Sequence, residues 1–473
     1  MTDYHSFQHA GEDFIFFPRS ARLYQLSQVA SRMLAELSAP GVAITPATRP
    51  GPPRRSLSPG EAPLYAELCD LLHQELEVPL PCSLQKQETP GTNRYQAFSI
   101  YLAQTCNMAC CYCWNRGGTF GKPGHLMGKK TAQLVTKLIL SLAEASSAEK
   151  IFINFYGGEP LLDFAILKKI TLDLLQQENR LEKNFYFTLD TNGTLLEGAT
   201  AQFLARYCTQ IGVSLDGSQR VHDIQRPGKY GESTWQRIVS NIKDFPNPEL
   251  LGLRATLTAF SDSYLETFRQ LTALGVNRIQ LEYCHEPGYQ SNPIFEKLLV
   301  PPQRQLAELR EFVDAYVDSI SRYKDTRDIP FVSNLLDSIS RIRRGNRFTK
   351  PCGAGTNTLA INSHGAVFPC IAFVDRNDFT MGQAGAGSCL SLHQSLAGFE
   401  VDHQLPCHAC WLRYDCAGGC YATHYDMTGH TRHPHPEYCQ NVKGKAEIYL
   451  YALTQMLNKC PWHLEKSPST PPL

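Results

Sequence analysis

The chain has 473 residues, of which 42% are hydrophobic and 19% are charged, as is usual for a globular protein of two or three domains. Lysine plus arginine and aspartate plus glutamate both total 45, so the formal charge is zero, which argues against a general nucleic-acid binder. We find neither an apolar run of roughly 18 residues, as a membrane helix needs, nor a secretion signal over residues 1–14, so we expect a cytoplasmic protein.

The first 95 residues predict a small N-terminal module and a linker. In residues 1–45, a short strand in the run FIFFPRSARLYQL is followed by a polar turn and by apolar residues at helical spacing from Leu26 to Leu37. Residues 46–95 form a proline-rich linker that continues into a predicted helix over Leu64–Leu76. The module is either a simple β-α packing unit or a peptide-binding extension, and its residues leave both interpretations open.

Strands and helices alternate over residues 96–300, which predicts an α/β fold with a parallel sheet and helical crossovers. The predicted strands are Phe98–Leu102, Ile151–Phe155, Phe185–Asp190, Ile211–Leu215, Leu253–Leu257 and Arg278–Glu282. The helical patterns between them are Lys130–Glu144, Phe164–Gln177, Ala199–Cys208, Thr234–Asp244 and Asp262–Leu274. Residues 301–345 are predicted as a helical bridge, residues 346–460 as a cysteine-rich domain, and residues 461–473 as a tail.

Three of the 17 cysteines, Cys106, Cys110 and Cys113, follow the first predicted strand in the run TCNMACCYCW. So many cysteines in a cytosolic chain indicate metal ligands rather than disulfides. A [4Fe–4S] cluster normally takes four cysteine thiolates, so three ligands from one short loop leave one iron free. The loop lies at the C-terminal end of its strand, where parallel β/α barrels place their chemistry.

The second predicted strand ends in Gly157, Gly158 and Glu159. Glycines let the backbone approach a ligand closely, and the glutamate supplies an acceptor for a cation. A strand ending in a glycine turn would explain this run if it stood alone, but the cysteine triplet favours a ligand site. Together with Tyr112, just before the last cysteine, these runs resemble the signature of the radical SAM superfamily, whose enzymes bind S-adenosylmethionine (SAM) at the free iron.

The resemblance implies a partial (β/α)6 barrel of the TIM type and further contacts to SAM. The Gly-Gly-Glu run would hold the SAM amino group. Ser214 and Arg226 would contact its carboxylate and ribose, since a guanidinium suits bidentate capture of a carboxylate. Asn192 and Asp216 are also predicted to bind the cofactor, although Asn-Gly and Asp-Gly are equally typical of turns. The role of the matching run RATLT (254–258) stays open.

Seven further cysteines resemble the SPASM domain of radical SAM peptide-modifying enzymes in their spacing. The resemblance implies two auxiliary [4Fe–4S] clusters. One would be held by Cys407, Cys410, Cys416 and Cys439, and the other by Cys352, Cys370 and Cys420. The remaining iron of the second cluster is open to a substrate thiolate, or is closed by Cys389 or another ligand. Zinc is the alternative, since Cys-x2-Cys pairs often make tetrahedral sites, but seven cysteines do not divide into tetrads.

Residues 96–460 as a whole resemble peptide maturases of the radical SAM/SPASM type. Such an enzyme would cleave SAM reductively to a 5′-deoxyadenosyl radical and modify a ribosomally made precursor peptide, with oxidative thioether or carbon–carbon crosslinking favoured. Epimerisation and excision of a residue fragment stay open. Sulfatase-type formylglycine maturation is disfavoured because Ile371, rather than an aspartate, follows Cys370. The complete cysteine triplet disfavours a non-catalytic iron–sulfur or zinc scaffold that binds a peptide.

Besides the precursor peptide, the resemblance implies an electron donor such as flavodoxin or ferredoxin. The N-terminal run HSFQHAGEDFIFF resembles the start of related crosslinking maturases, which supports a precursor peptide as the substrate. Whether the module itself binds a leader peptide stays open, and a separate leader-peptide-binding protein is a further candidate partner. Neither nucleic acid nor a membrane is expected as a partner, and the sequence identifies no catalytic base or hydrogen donor.

Overall fold

The computed structural model describes residues 4–37, 56–78, 95–285, 294–323, 330–344, 347–385 and 390–465. Cys82 and Cys389 lie outside these stretches, as does the first part of the predicted proline-rich linker. Within the described stretches, no helix is long and apolar enough to cross a membrane.

The N-terminal part is an antiparallel sheet, in the order β1-β2-β3, packed against two helices. The elements are β1 (His5–His9), β2 (Glu12–Phe17), β3 (Arg22–Leu26), α1 (Gln28–Leu37) and α2 (Glu61–Glu77). The sequence predicted one strand where the structure has three. The flanking strands β1 and β3 bury fewer than half of their residues, so they lack the continuous apolar run that marks the central strand.

Six parallel strands form the partial barrel, which confirms the predicted α/β fold class. They are β4 (Ala97–Gln104), β6 (Lys150–Gly157), β7 (Asn184–Thr191), β8 (Cys208–Ser214), β9 (Leu251–Leu257) and β10 (Arg278–Tyr283). In β6, β7, β9 and β10 the buried positions alternate with partly exposed ones over most of the strand. Because side chains alternate across a strand, one face packs under the helices and the other lines the interior of the barrel.

The crossover helices cover the outer face of this sheet. The longer ones are α3 (Lys129–Ala145), α4 (Phe164–Leu175), α6 (Gly198–Tyr207), α8 (Trp235–Lys243) and α9 (Tyr264–Thr272), and the short ones are α5 (Glu178–Leu181), α7 (Gln219–Gln225) and α10 (Ile294–Leu298). Two further helices, α11 (Pro302–Ile320) and α12 (Ser333–Arg343), lie within residues 301–345, for which a helical bridge was predicted. Helix α3 is typical, since Val135, Ile139 and Leu142 recur at helical spacing and are buried.

The cysteine-rich region begins by extending the barrel sheet. Strand β12 (Thr358–Ile361) pairs in parallel with β4, and β13 (Ala366–Phe368) and β14 (Gly382–Gln383) continue the sheet beyond it. The short strands β5 (His125–Leu126) and β11 (Phe331–Val332) pair with β4 and β10. The remaining helices are α13 (Arg413–Cys416), α14 (Tyr421–Thr428), α15 (Pro436–Lys459) and α16 (Pro461–Glu465).

The N-terminal sheet contacts the C-terminal region through its first strand. The His5 ring stacks on Trp411 at 3.8 Å between centroids, and its Nε2 lies 2.8 Å from Glu447 Oε1 on α15. His9 lies against Tyr451 on the same helix, with 3.7 Å between ring centroids. These contacts join the first and last parts of the chain beside Cys410, the neighbour of Trp411.

Candidate functional site

The loop after β4 brings the three predicted cluster ligands together. The backbone N–H groups of Ala109 and Cys111 donate to the carbonyls of Pro227 and Gln225 at 2.9 Å, which fixes the loop against the segment after α7. Burial, opposed by the charge of Arg226 and helped by the nearby Cys113 and Cys106 thiols, raises the pKa of the Cys110 thiol to about 12. Because neighbouring thiolates repel one another, these three thiols ionise readily only when a cation, such as a bound metal, balances their charge.

Glycine backbones allow this loop to pack directly on the end of β6. A Cβ atom on Gly158 would overlap the carbonyl oxygen of Thr105 and would lie 2.6 Å from that of Gly117. Gly118 has φ of +85°, and a Cβ there would lie 2.6 Å from the Cα of Gly158. Only glycine fits at both positions. The Gly-Gly-Glu run and the cysteine loop therefore form one tightly packed unit.

The Glu159 carboxylate is fully buried at the centre of this unit. It accepts hydrogen bonds from Leu161 N at 3.0 Å, Thr191 Oγ1 at 2.8 Å and Asn192 N at 2.7 Å. Burial raises the pKa of Glu159 to about 7, and these hydrogen bonds oppose the rise. A carboxylate fixed in this way is a suitable partner for an ammonium group.

Asn192 lies beside the first cysteine. Its Nδ2 is 3.7 Å from Cys106 Sγ and donates to Asn107 Oδ1 at 2.8 Å. Its Oδ1 accepts from Thr194 N at 2.9 Å and from Thr194 Oγ1 at 2.7 Å. The structure thus places Asn192 at the site, with its own amide engaged in the local turn.

Arg226 and Tyr112 form a buried hydrogen-bonded pair that Asp216 holds in place. Tyr112 OH donates to Asp216 Oδ2 at 2.5 Å and accepts from Arg226 Nη1 at 2.5 Å. Asp216, only 2% exposed, also accepts from Gln225 Nε2 at 2.9 Å and Thr256 N at 3.0 Å. These internal bonds suit Asp216 to orienting the guanidinium. Ser214 ends β8, in register with Arg254 on β9.

The side chains at this site fit the predicted cofactors. Arg226 Nε is buried and has no hydrogen-bond partner in the described part of the chain, so an anion such as a carboxylate would satisfy it. The guanidinium acts electrostatically on the Cys110 thiol, so an anion bound there would lie next to the cysteine triplet. Three thiols, one buried acceptor and one unsatisfied donor match a [4Fe–4S] cluster that holds SAM by its amino and carboxylate groups.

The C-terminal cysteines fall into two groups. Burial, together with the charges of three neighbouring thiols, raises the pKa of Cys416 to about 12; these neighbours are Cys407, Cys410 and Cys439. Cys370 responds in the same way to burial and then to Cys420 and Cys352. These are the two predicted ligand sets, and their assignment to clusters remains a prediction.

Over the described ranges, no group of three or more His, Cys, Asp or Glu side chains is arranged to hold a metal ion. The ligands of a four-iron cluster bind separate irons, whereas those of a zinc ion surround one point at about 2.3 Å for sulfur. Cys389, considered as a further ligand of the second set, lies outside the described residues.

Sequence reasoning assigned no role to the polar side chains inside the barrel. Tyr156, Asp190, Arg254 and Arg278 occupy alternate positions on their strands and are only partly buried, while their neighbours face the helices. The signal that could have found them is the period-2 pattern of polar residues within otherwise apolar strands.

Comparison with known proteins identifies the family of the barrel. The model of the radical SAM superfamily matches residues 100–280. The cysteine-type anaerobic sulfatase-maturating enzyme of Clostridium perfringens is 23% identical over 370 residues, covering 75% of this chain and 95% of the relative. The serine-type enzyme of Klebsiella pneumoniae is 23% identical over 362 residues, covering 70% of this chain and 82% of the relative.

Solved structures share the fold. Native anSMEcpe with bound AdoMet superposes with a TM-score of 0.64 at 18% identity, covering 77% of this chain and 99% of that one. Streptococcus suis SuiB bound to S-adenosylmethionine superposes with a TM-score of 0.50 at 15% identity, covering 93% of this chain and 99% of that one. The family implies a [4Fe–4S] cluster that binds SAM. The chain therefore carries a radical SAM domain, is related to the anaerobic sulfatase-maturating enzymes, and is an enzyme of the radical SAM type.

Proposed function

We propose that this protein is a maturase that joins two residues of a ribosomally made precursor peptide by an oxidative thioether or carbon–carbon crosslink. The observation that carries the proposal is a shared sheet. Strand β12, near the start of the cysteine-rich region, pairs with β4, which ends at the cysteine loop. The predicted SAM site and the C-terminal thiols are thereby fixed relative to each other. The names of the relatives, which mature sulfatases, support a polypeptide substrate.

The first site supplies the radical in this proposal. Cys106, Cys110 and Cys113 would hold a [4Fe–4S] cluster that, when reduced, cleaves SAM to methionine and a 5′-deoxyadenosyl radical able to remove a substrate hydrogen atom. The residues around it orient SAM. Glu159 would accept from the SAM amino group, and Arg226 would bind the SAM carboxylate through its unsatisfied Nε.

The C-terminal thiols would complete the oxidation. Crosslinking removes two hydrogens: the radical takes one as an atom, and ring closure releases the other as a proton together with one electron. Two auxiliary [4Fe–4S] clusters on the grouped cysteines would accept that electron. The second group of C-terminal cysteines lies close to the barrel, because the hydroxyl of Tyr101 on β4 donates a hydrogen bond to the carbonyl of Ile371, the residue after Cys370, at 3.1 Å.

Formylglycine maturation of sulfatases is the second candidate, and the names of the relatives favour it. Ile371 disfavours it, because an apolar side chain stands where the family pattern has an aspartate that serves as a base. Asp375, four residues further on, is already engaged by Lys122 at 3.2 Å and by the amides of Gln104 and Asn362. Epimerisation and fragment excision remain open alternatives within the same enzyme class.

The N-terminal module would recognise the leader of the precursor peptide. In the described part of the chain, β3 pairs with β2 alone, so its outer edge is available for an added strand. A flavodoxin or ferredoxin would supply the electron. A separate leader-binding protein is the alternative to the module.

The test is anaerobic incubation of the reconstituted enzyme with SAM, a reductant and the short peptide encoded beside its gene, analysed by high-resolution mass spectrometry. We expect the peptide to lose two hydrogens. Deuterium uptake from solvent without other mass change would indicate epimerisation instead, and a larger loss would indicate fragment excision. The matched control replaces Cys106, Cys110 and Cys113 by alanine. If that variant still forms 5′-deoxyadenosine, the assignment of the first site is wrong.

A further inference from the structure

One layer of side chains inside the barrel lies directly below the predicted SAM site. Asp190 on β7 is in register with Gly212 on β8, which is in register with Gly252 on β9. Arg278 on β10 is level with Gly252, because the next residues along the two strands pair with each other. Ser214, a predicted SAM contact, is two residues beyond Gly212, about 7 Å along the strand.

Gly212 makes room for Arg254, whose positive charge is neutralised by a neighbouring carboxylate. A Cβ on Gly212 would lie 3.1 Å from Arg254 Cδ and 2.6 Å from Asp190 Oδ1, so the Arg254 side chain crosses β8 through this gap. Arg254 Nη1 forms an ion pair with Asp190 Oδ1, and Asn154 Nδ2 donates to Asp190 Oδ2 at 3.3 Å. The charge of Asp190, with that of Glu282, raises the pKa of Arg254. The positive charge of Arg254 is therefore balanced within the protein by Asp190.

Gly252 makes room for Arg278, whose positive charge is less well balanced by neighbouring carboxylates. A Cβ on Gly252 would lie 3.2 Å from Arg278 Cδ, so this side chain crosses β9 in the same way. Its Nη1 donates to Gln210 Oε1 at 3.3 Å, and its guanidinium lies 5.6 Å from the centre of the Phe331 ring. Burial lowers its pKa, and among the described residues Asp337 is the carboxylate whose charge opposes this. Its close contacts are an amide and a ring.

A cavity opens between the two arginines. Its volume, counted at the centres of water-sized spheres, is about 30 Å³, and polar groups from Gln210, Gln280 and Ser333 line it beside Arg278. Amide and hydroxyl groups beside a guanidinium offer several hydrogen-bond donors to one ligand. A carboxylate is the group that a partly buried arginine binds best, since the two planar groups match in a bidentate pair.

We propose that this cavity is a substrate subsite in which Arg278 binds the carboxylate of an aspartate or glutamate of the precursor peptide. This inference rests on the proposed function for the identity of the ligand. The substrate would therefore carry an acidic residue at, or next to, the position that is modified. The bound carboxylate would anchor the peptide one layer below SAM and hold the reacting residue at the level of Ser214.

The experiment uses the peptide encoded beside the gene, with each Asp or Glu replaced singly by Asn or Gln. With the wild-type enzyme, we expect one replacement to raise the KM by about tenfold, as loss of a charged hydrogen bond predicts. With Arg278→Gln, the same replacement should change the KM by less than about twofold. Arg278→Lys, which keeps the charge, should retain part of the effect. Arg237→Gln, at an exposed ion pair with Glu197 on the outer surface, is the matched control.

Equal responses of the wild type and Arg278→Gln to every replacement would overturn the subsite, as would efficient modification of a peptide without acidic residues. A second measurement needs no peptide. Glutarate, compared with its neutral diamide, should raise the melting temperature of the wild-type holoenzyme and leave that of Arg278→Gln unchanged. If glutarate stabilises neither protein, the subsite is wrong. If glutarate binds through Arg278 but the peptide is not modified, the proposed function falls and the subsite stands.

Discussion

The predicted SAM site is built from side chains that hold one another in place inside a buried pocket. Arg226, the predicted carboxylate ligand, is oriented by Tyr112, which in turn is held by Asp216. Each of these groups is costly to bury alone, because an unpaired charge or hydroxyl loses its bonds to water. The arrangement therefore leaves the Nε donor of Arg226 unsatisfied for the ligand, while Nη1 is bound by Tyr112.

Removing the Tyr112 hydroxyl tests this orientation. Tyr112→Phe keeps the ring but deletes two short hydrogen bonds, so Arg226 loses the hydrogen bond that orients it. We expect the KM for SAM to rise about fivefold to tenfold, as loss of a charged hydrogen bond predicts, with a much smaller change in kcat. The measurement is the rate of 5′-deoxyadenosine formation against SAM concentration. Tyr207→Phe, on α6, is the control, and an unchanged KM in Tyr112→Phe would refute the role.

The contact between the two glycine-rich segments makes a second prediction at single residues. Gly158→Ala would push a Cβ into the carbonyl oxygen of Thr105, which is backbone and cannot move aside cheaply. We expect it to abolish SAM cleavage and to lower the iron content of the protein. Gly128→Ala is the matched control, because a Cβ there meets nothing within 4 Å. Wild-type iron content and cleavage in Gly158→Ala would contradict the packing described here.

The sequence predicted most single residues of this site because their signals are local. Cys106 and Glu159 stand in short runs whose spacing is informative on its own. Arg278 was not found, because its partner Gln210 is 68 residues away on a different strand. The spacing of residues along the chain does not indicate that these two side chains meet. Their contact follows from the register of three neighbouring strands.

At the scale of elements, the long barrel strands were predicted well and short strands were missed. The barrel strands agree with prediction within a few residues, because over most of their length every second residue is apolar and buried against the helices. Strands β12, β13 and β14 have only two to four residues each, too few for a pattern. As a result, the sequence did not indicate that the cysteine-rich region joins the barrel sheet.

Asp375 connects these two parts of the sheet. Its carboxylate accepts from Gln104 Nε2 at 3.0 Å, at the end of β4, and from Asn362 Nδ2 at 2.9 Å, in the β12–β13 turn. Lys122, in the loop after the cysteine triplet, lies 3.2 Å away. Because Cys106 follows Gln104 by two residues and Cys370 precedes Asp375 by five, this carboxylate ties together the segments that carry both.

We expect Asp375→Asn to lower the free energy of unfolding by about 1 kcal/mol and Asp375→Ala by about 2–3 kcal/mol, since alanine leaves the buried amides without an acceptor. Asparagine also tolerates the φ of +63° at this position better than alanine does. Urea unfolding measures both values. Loosening the two segments should also raise the ratio of 5′-deoxyadenosine to modified peptide. Asp378→Ala, at an exposed neighbour, is the control, and equal stability of all three variants would exclude the link.

Across the whole molecule, the barrel and the cysteine-rich region differ in what holds them together. The barrel has a continuous apolar core that runs from Phe98 on β4 to Val332 on β11. Around the C-terminal cysteines, the chain from Val401 to Cys416 has only three-residue helical turns and the four-residue α13. Such short elements contribute few backbone hydrogen bonds of their own, so metal binding would add to the apolar contacts of Val401 and Tyr414 in ordering this stretch.

Removal of the metal should therefore affect the two regions differently. We expect chelation of the reconstituted protein to increase amide hydrogen exchange strongly over residues 401–439, while strands β6 to β9 keep their protection. Substitution of Cys416 by serine should reproduce the increase and lower the iron content, because one of four predicted ligands is lost. Cys208→Ser, at a buried core thiol of β8, is the control for a thiol outside the predicted ligands. Exchange that rises equally in the barrel and in residues 401–439 would mean that the apolar core and the cysteine groups form one cooperative unit, contrary to this prediction.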